Sequence, residues 1–276
     1  MTGRAADLKP VTVVTGGSTG IGLEIARVLA QKGRTLALVA RSPEQLSAAL
    51  RTLQMDHSQA WPNAIITIAD DIALPDAAKR ISRRLEANGY YLDELVNCAG
   101  SGLSGQFIDY DPADVDALLN LNVTALSRLI REALPGMCER GRGGIINLAS
   151  LGGFVPGPYQ SAYYASKAYV ISLTRALAHE NRGKGVRFCV VAPGPVETSF
   201  HAKMNAESAF YRRFLPALSP SSVAKATIFW YQLRAGVVVP GVLYKLTALA
   251  LWVLPGAVTI PIVAFLLNPR DDHRDA

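Results

Sequence analysis

Short runs of aliphatic and β-branched residues alternate along this chain with longer stretches in which apolar residues recur at helical spacing. The short runs predict strands at 11–15, 35–40, 64–69, 92–97, 145–148 and 186–192, with a shorter one at 237–239. The longer stretches predict helices at 20–32, 43–55, 75–87, 112 onward, 162–181 and 219–232. Because strands joined by helices of this length pair in parallel, the alternation predicts an α/β fold with a doubly wound parallel sheet.

Composition narrows the class of protein. Lysine and arginine exceed aspartate and glutamate by 28 to 22, and this net charge of +6 is spread along the chain rather than gathered into a basic stripe. We therefore expect no nucleic acid as a partner. The three cysteines lie far apart and form no Cys-x-x-Cys pair, which is typical of a reducing compartment and predicts a cytoplasmic protein. The four histidines show no metal-ligand spacing, so no metal is expected.

The loops after the strands are expected to carry the chemistry, since right-handed crossovers place every carboxyl end along one edge of the sheet. After the first strand, residues 15–22 read Thr-Gly-Gly-Ser-Thr-Gly-Ile-Gly. Glycines let a backbone turn tightly and approach a pyrophosphate, and the helix that follows presents free N–H groups. The loop predicts dinucleotide contacts, although a glycine-rich turn also serves as a plain connection; the predicted contact residues are Gly16, Ser18, Thr19, Gly20 and Ile21.

The second and third strands end in residues that would form the adenosine half of such a site. An NAD site usually has an acidic residue after the second strand, whereas this chain has Arg41, which suits a 2′-phosphate. The sequence therefore predicts NADP(H) in preference to NAD(H). After the third strand, Asp71, followed by Ile72, is expected to accept a hydrogen bond from the adenine amino group. The alternative is that Asp70 or Asp71 caps the next turn.

Two further strand ends complete the predicted cofactor site. The fourth strand runs into Asn97, Ala99 and Gly100, where small residues allow close approach of a cofactor and Asn97 can also tie neighbouring strands together. The turn after the sixth strand is expected to hold the carboxamide of the cofactor; its predicted contacts are Pro193, Gly194, Val196 and Thr198.

A tyrosine and a lysine one helical turn apart give the sharpest chemical signal. Tyr163 and Lys167 share a helical face, and an ammonium group beside a phenol lowers the pKa of the phenol from about 10 toward neutral pH. Such a phenol protonates a carbonyl oxygen as hydride arrives, or removes a hydroxyl proton in the reverse direction. Ser150 closes the fifth strand and can bind the same substrate oxygen. Asn122 is a polar residue inside a helix, where it needs a partner.

Taken together, these motifs resemble the short-chain dehydrogenase/reductase family over residues 11–198. The similarity rests on the glycine loop, the Tyr-x-x-x-Lys pair and an Asn-Asn-Ala-Gly motif, from which the chain departs by one residue at Cys98. The resemblance implies a Rossmann fold with a seven-stranded sheet and assembly as a homodimer or homotetramer. It also implies that Tyr163 is the acid/base, that Lys167 holds the nicotinamide ribose, that Ser150 polarises the substrate oxygen, and that Asn122 anchors a water linking Lys167 to solvent.

The C-terminal part carries an uncharged run from Leu246 to Leu267. Pro255-Gly256 and Pro261 are expected to break it into pieces. We predict a Rossmann-type catalytic domain at 1–241, with a lid at about 197–215, and a hydrophobic extension at 242–276. Three placements of the extension stay open: over the substrate pocket, at a subunit interface, or on a membrane surface, where the protein would be peripheral on the cytoplasmic face.

The sequence as a whole predicts an NADPH-dependent oxidoreductase that interconverts a ketone and a secondary alcohol. The ending at 237–241 and the tail after it look like family members that act on lipophilic compounds, such as 3-ketoacyl, ketosphingoid or steroid-like ketones. Apolar residues of the lid fit such a ligand but could equally be core: Phe200, Met204, Phe210, Tyr211 and Phe214. The alternatives are a redox-neutral sugar-nucleotide epimerase or dehydratase and a non-catalytic NADP(H)-binding scaffold.

Overall fold

The computed structural model describes residues 8–55, 64–200, 204 and 216–268. These residues form one seven-stranded sheet in the order β3-β2-β1-β4-β5-β6-β7, with every neighbouring pair parallel. The strands are β1 (Lys9–Thr15), β2 (Leu36–Ala40), β3 (Ile65–Ala69), β4 (Tyr90–Asn97), β5 (Gly143–Leu148), β6 (Val186–Val191) and β7 (Val237–Val238). The predicted doubly wound Rossmann sheet is confirmed, and its strand order reverses between β1 and β4, where such sheets bind their ligands.

Helices cover both faces of the sheet, as predicted. They are α1 (Gly20–Gln31), α2 (Pro43–Met55), α3 (Ala77–Ala87), α4 (Pro112–Leu119), α5 (Leu126–Glu139), α6 (Ser161–Glu180) and α7 (Pro220–Gln232). The cap that the sequence predicts at α4 is present, because the carboxylate of Asp111 accepts from the Ala113 N–H at 2.9 Å. The cap of α7 is present too, with Ser219 Oγ accepting from the Ser222 N–H at 3.1 Å.

The alternation of side chains along each strand separates two cores. On β1, Val13 packs on one face with the helices α3, α5 and α6, and Val14 packs on the other with α1, α2 and α7. The same alternation places Leu95 and Val96 of β4 on opposite faces. Both faces are therefore buried, which explains why the strands read as continuous apolar runs in the sequence.

A charged cluster centred on Glu94 joins three strands of the sheet to a helix. Glu94 is 4% exposed, and its carboxylate accepts from Arg187 at 2.8 Å, from the Tyr231 hydroxyl at 3.1 Å and from Thr12 at 3.2 Å. Arg34 adds an ion pair at 3.0 Å. This cluster lies away from the carboxyl ends of the strands and ties β1, β4, β6 and α7 together.

The C-terminal extension forms two more helices, α8 (Val242–Val253) and α9 (Gly256–Leu267). Pro255 separates them, as expected, but the predicted break at Pro261 is wrong, because this proline lies inside α9. Pro261 is the sixth residue of that helix, so the one hydrogen bond that it cannot donate is the bond to the Ala257 carbonyl, and the helix continues past it. No helix in the described ranges is both long enough and apolar enough to cross a membrane.

Candidate active site

A cleft of about 660 Å³ opens at the carboxyl edge of the sheet. One end is formed by the glycine loop and the start of α1, and the middle by the ends of β4, β5 and β6 with the first turns of α6. The other end is apolar and is closed by the C-terminal helices, whose residues in the wall are Thr247, Leu251, Ile262, Val263, Leu266 and Leu267. The cleft therefore extends from the backbone of the glycine loop to the apolar side chains of the C-terminal helices.

The glycine loop has the geometry of a phosphate-binding turn. Gly16 adopts a positive φ of 63°, and a Cβ at this position would lie 3.0 Å from the backbone of Ala99. A Cβ on Gly22 would lie 2.3 Å from the Gly16 carbonyl oxygen, so only glycine allows this packing. Thr19 precedes α1 in extended backbone and makes no side-chain cap, which leaves the first N–H groups of the helix for a ligand.

Thr15 is a positioning residue that the sequence motifs did not single out. Its hydroxyl donates to the Val96 carbonyl at 3.4 Å and accepts from the N–H groups of Cys98 and Ala99 at 3.1 and 3.3 Å. The end of β1 is thereby fixed to the loop after β4. The threonine was visible in the glycine motif, but its partners come from a strand about 80 residues away.

Asn122 finds its partners in the loop after β4. The helix widens to a π turn at Asn120–Ala125, and the buried Asn122 amide accepts from the Ser101 N–H at 2.9 Å and donates to the Ser101 carbonyl at 2.8 Å. A further bond to Ser166 Oγ at 3.0 Å reaches α6. Protein groups therefore provide the partner that the sequence predicted for Asn122. The long helix expected from residue 112 is interrupted at this π turn, and π turns inside helices are often found at functional sites.

Tyr163, Lys167 and Ser150 converge on the middle of the cleft. Ser150 caps the 3₁₀ turn Leu151–Phe154, accepting from the Gly152 N–H at 3.2 Å, and a hydrogen bond joins it to the Tyr163 phenol. Lys167 is 6% exposed; its Nζ lies 5.7 Å from the centre of the Tyr163 ring and donates to the Leu148 carbonyl at 3.0 Å. The end of β5 and the first turns of α6 thus bring the three side chains together.

The pKa values of Tyr163 and Lys167 differ from those expected from the sequence. Burial raises the pKa of Tyr163 to about 12, and the hydrogen bond from Ser150 offsets only part of that. Burial also lowers the pKa of Lys167 to about 8, opposed in part by Cys98. The predicted lowering of the phenol pKa by the lysine is therefore wrong, because desolvation of the buried phenol dominates its pKa.

Several predicted cofactor residues lie outside the wall of this cleft. Asn97 is buried and donates to the Asn147 side chain at 2.8 Å, the strand-tying contact rather than a ligand contact. Asp71 caps the next turn by accepting from the Ala73 N–H at 3.0 Å, with Ile72 buried beside it, and Asp70 is engaged by Arg80. Ser18 is 3.5 Å from Gln45 of α2.

Arg41 stands exposed directly after β2, the strand next to β1. No hydrogen bond or ion pair joins Arg41 to another residue in the described ranges. The guanidinium is therefore free to meet a ligand at this edge of the sheet.

The loop after β6 forms the floor and rim of the cleft. Pro193, Gly194, Val196 and Thr198 all line it, together with Gly20, Ile21 and Gly100 of the other predicted contacts. A Cβ on Gly20 would lie 3.3 Å from Thr198 Cγ2, so this loop meets the glycine loop across the cleft. Of the predicted lid, residues 201–203 and 205–215, with Phe210, Tyr211 and Phe214, lie outside the described residues.

The described lid residues cover the tyrosine. The Phe200 ring lies 5.6 Å from that of Tyr163, and Met204, 3% exposed, packs beside it. A Cβ on Gly102 would lie 2.9 Å from Met204 Cε and 3.2 Å from Phe200 Cζ, so both side chains pack directly against this glycine. Phe200 and Met204 therefore form an apolar cover beside Tyr163.

The extension is anchored to the cleft by a buried tyrosine. Tyr244 is 1% exposed, donates its hydroxyl to the Pro216 carbonyl and packs its ring on Gly194, where a Cβ would lie 2.4 Å from Cε1. Val263 and Leu267 of α9 pack with Val155, and Tyr164 and Leu251 border this cluster. Of the three placements left open by the sequence, packing over the pocket is the one seen in these contacts.

Comparison with other proteins gives consistent matches. The profile of the short chain dehydrogenase family matches residues 10–209. A short chain dehydrogenase from Pseudocercospora fijiensis is 36% identical over 193 residues, which span 69% of this chain and 60% of that protein. The ketoacyl reductase HetN of Nostoc sp. is 33% identical over 217 residues, 78% of this chain and 73% of that protein. The structure of a short-chain dehydrogenase from Sphingobium yanoikuyae in complex with NADPH superposes with a TM-score of 0.76 at 28% identity, covering 87% of this chain and 92% of that one.

The matched region contains the glycine loop, the loop after β4, Ser150 and the Tyr163–Lys167 pair, so the comparison and the geometry concern the same residues. It leaves out α7, β7 and the two C-terminal helices. With residues 10–209 of 276 matched, the chain belongs to the short chain dehydrogenase family of oxidoreductases, acting on CH–OH and C=O groups.

Proposed function

We propose that this protein is an NADPH-dependent reductase that converts a lipophilic ketone to a secondary alcohol, or carries out the reverse reaction. The observation that carries the proposal is the convergence of Ser150, Tyr163 and Lys167 in a cleft with a glycine-loop end and an apolar end. The similarity to a ketoacyl reductase and to a structure in complex with NADPH supports the same assignment.

The backbone-lined end of the cleft fits a dinucleotide. Gly16 and Gly22 leave no room for a Cβ, and the uncapped start of α1 offers N–H donors at the positive end of a helix dipole. Gly20, Ile21, Ala99 and Gly100 would lie against the cofactor. Bound NADPH would supply the hydride for the reduction.

Tyr163 would donate the proton that the carbonyl oxygen gains in the reduction. Its high pKa keeps the phenol protonated at neutral pH, which is the form that a general acid needs. Ser150 would hold the same oxygen, since its hydroxyl already bonds to the phenol. Lys167, still largely protonated at neutral pH, would stabilise the phenolate as it forms and hold the ribose hydroxyls. Asn122 keeps the loop after β4 against α6, and a water beside it would return the proton.

Arg41 supports the preference for NADP(H) over NAD(H). It stands where an acidic residue would bind the ribose 2′-hydroxyl, and a guanidinium there would pair with a 2′-phosphate instead. Asp71 has one carboxylate oxygen engaged in its turn and would offer the other to the adenine amino group.

The far end of the cleft supports a lipophilic substrate. Leu251, Val263 and Leu267 from the extension, with Phe200 and Met204 from the lid, present carbon atoms around the catalytic groups. An apolar chain that extends from the ketone toward these side chains would be removed from water. Its burial would contribute a favourable free energy of about 25 cal/mol per Å² of buried apolar surface. The division into a domain at 1–241 and an extension at 242–276 stays a prediction. Residues from both parts line this cleft.

The outer face of the extension supports a peripheral association with a membrane. Large apolar side chains project from it: Leu246 is 61% exposed, Trp252 77% and Val253 65%. Lys245 lies 4.8 Å over the Trp230 ring, which places a cation at the rim of this apolar face, as in interfacial anchors. Assembly as a dimer or tetramer through α4, α5 and α6 stays a prediction; light scattering would test it.

The proposed function is tested by offering a panel of ketones to the protein and monitoring their reduction as the loss of NADPH absorbance. The panel should include long-chain 3-oxoacyl, sphingoid and steroid ketones. The Tyr163→Phe variant should reduce the substrate about 10²–10⁴-fold more slowly while binding NADPH with unchanged affinity. Turnover retained by that variant would contradict the role of Tyr163. Redox-neutral conversion of a nucleotide sugar would instead favour an epimerase or dehydratase. Binding of NADPH without turnover of any substrate would favour a non-catalytic scaffold.

A further inference from the structure

The cleft reaches the protein surface at two places of opposite character. Among the described residues that line it, the exposed ones are Thr19, Glu197, Ser199 and Ile262. Thr19 belongs to the glycine loop, and Glu197 and Ser199 belong to the loop after β6 that meets it, so these three mark a polar opening at the cofactor end. Ile262 belongs to α9 and is 52% exposed. It marks a second opening, at the apolar end.

The opening at Ile262 lies within an apolar surface. Val258 precedes Ile262 by four residues and Phe265 follows it by three, so the three side chains form one row on α9. Val258 is 44% exposed and Phe265 is 65% exposed. A second exposed row at the same spacing lies on α8 and consists of Leu246, Leu249 and Val253. The apolar end of the cleft therefore opens between apolar rows and not into a polar rim.

The polar groups of this surface are too few for a protein partner. In α8 and α9 the side chains with a polar atom are Tyr244, Lys245, Thr247, Trp252 and Thr259. Tyr244 and Thr259 are buried, and the Thr247 hydroxyl donates within its own helix at 3.0 Å. A protein interface makes about one hydrogen bond per 100–200 Å², whereas hydrocarbon requires none. The surface therefore favours a lipid membrane, with Lys245 and Trp252 at the level of the headgroups.

We propose that a ketone dissolved in a membrane enters the cleft directly from the lipid, through the opening at Ile262, whereas the polar opening serves the cofactor. The exposure of the lining side chains falls from Ile262 through Leu266 to Val263, which is 8% exposed, so the apolar lining continues from the surface inward. This inference rests on the proposed function and on the membrane association proposed with it. It adds the route by which the substrate reaches the site.

This route keeps the apolar chain of the substrate out of water. Each CH₂ group lowers the concentration of a chain in water about four-fold relative to the membrane, so a long-chain ketone is scarce in solution. A cleft that opens into the lipid uses the concentrated pool. The rate should therefore depend on whether the protein is bound to the membrane that holds the ketone.

The first test uses wild type with vesicles in two arrangements. A long-chain ketone of the class that the panel identifies is placed either in vesicles of phosphatidylcholine and phosphatidylserine, which bind the protein, or in phosphatidylcholine vesicles mixed with ketone-free anionic ones. The lipids and the total ketone are the same, and rates are measured before ketone passes between vesicles. We expect NADPH oxidation to be at least about 5-fold faster when protein and ketone share a membrane.

The second test narrows the opening. Ile262→Trp should lower kcat/KM at least about 10-fold on the long-chain ketone in anionic vesicles, and less than about 3-fold on a short, water-soluble homologue that is small enough to pass. Co-sedimentation of the variant with the vesicles should equal that of wild type. Ile260→Trp is the matched control, because Ile260 is exposed on the same helix and does not line the cleft.

The outcomes separate this inference from the proposed function. Equal rates in the two vesicle arrangements overturn the lipid route and leave the reductase and its membrane association in place. No loss in Ile262→Trp, or an equal loss in Ile260→Trp, contradicts the opening at Ile262. If wild type reduces the short ketone but stays in the supernatant, the membrane association and this inference fail while the reductase stands. If no ketone of the panel supports NADPH oxidation, the proposed function fails, and this inference fails with it.

Discussion

The ammonium group of Lys167 donates a 3.0 Å hydrogen bond to the carbonyl oxygen of Leu148, the last residue of β5. This bond joins the first turns of α6 to the strand whose end carries Ser150. It turns the ammonium toward the backbone, 5.7 Å from the centre of the Tyr163 ring. A buried charge is thus placed at the junction of sheet and helix, where its desolvation costs stability.

Replacing Lys167 by methionine should stabilise the ligand-free protein while abolishing activity. The pKa of Lys167 is about 8 in the folded protein against an ordinary value of 10.5, so between these values the unfolded chain binds more protons. Stability of wild type therefore rises as the pH goes from about 8 to about 10.5, and the cost of the buried charge is fully present below about 8. We expect Lys167→Met to gain about 2 kcal/mol at pH 7, with the gain vanishing near pH 10.5. Urea unfolding at several pH values measures this; a gain independent of pH would contradict it.

Replacing Arg41 by alanine should weaken NADPH and leave NADH nearly unaffected. A charge-assisted hydrogen bond to a phosphate is worth about 1.5–3 kcal/mol, which corresponds to a loss of about 10–150-fold in affinity for NADPH. Arg51→Ala, an exposed arginine on α2, controls for the loss of one positive charge. Fluorescence titration with both nucleotides provides the measurement, and an equal loss for NADPH and NADH would refute the preference.

Replacing Glu94 by glutamine should lower stability without altering the chemistry. The variant keeps the shape of the side chain but leaves Arg34 and Arg187 without their carboxylate. Both arginine side chains are partly exposed and remain hydrated, so we expect a loss of only about 1–3 kcal/mol. The midpoint of urea unfolding should fall, whereas kcat/KM of the folded enzyme should stay within about two-fold of wild type. A large fall in kcat would mean that this cluster communicates with the cleft.

Introducing a carboxylate on either face of the extension should affect stability and activity differently. Val263→Glu places a carboxylate on the face that packs against the cleft, and it should cost at least about 3 kcal/mol and most of the activity on long-chain ketones. Trp252→Glu, on the exposed face, should leave stability and activity within error. Thermal melting and kinetics of the two variants give the comparison. A stable and active Val263→Glu enzyme would show that α9 is not part of the cleft.

The exposed face should bind anionic vesicles through its apolar side chains. Co-sedimentation of wild type with vesicles of phosphatidylcholine and phosphatidylserine should fall several-fold for the double variant Leu249→Glu/Trp252→Glu. Phe107→Glu, an exposed aromatic residue remote from the extension in sequence, is the control. Wild type that stays in the supernatant at low ionic strength would rule out this association.

The sequence predicted what periodicity and local motifs determine. The parallel sheet, the caps at Asp111 and Ser219, and the meeting of Ser150 with Tyr163 and Lys167 all follow from patterns within a few residues and from the rule that strand ends share an edge. The pKa of Tyr163 could not be predicted in this way, because it depends on burial by lid residues that come much later in the chain. Thr15 and the tail in the cleft wall depend likewise on contacts between distant segments. Asn97 and Asp71 bind protein partners, the Asn147 side chain and the Ala73 N–H, although the motifs predicted cofactor contacts for them.

One consequence of the C-terminal helix concerns thermodynamic linkage. The buried residues of α9, Thr259, Val263 and Leu267, form one stripe, and Pro261 removes one backbone hydrogen bond near the start of the helix. A ligand that fills the apolar end of the cleft adds contacts to this same stripe, so occupancy and docking of the helix reinforce each other. The amide hydrogens of α9 should therefore exchange more slowly when the cleft is full, which makes this helix a reporter of ligand binding.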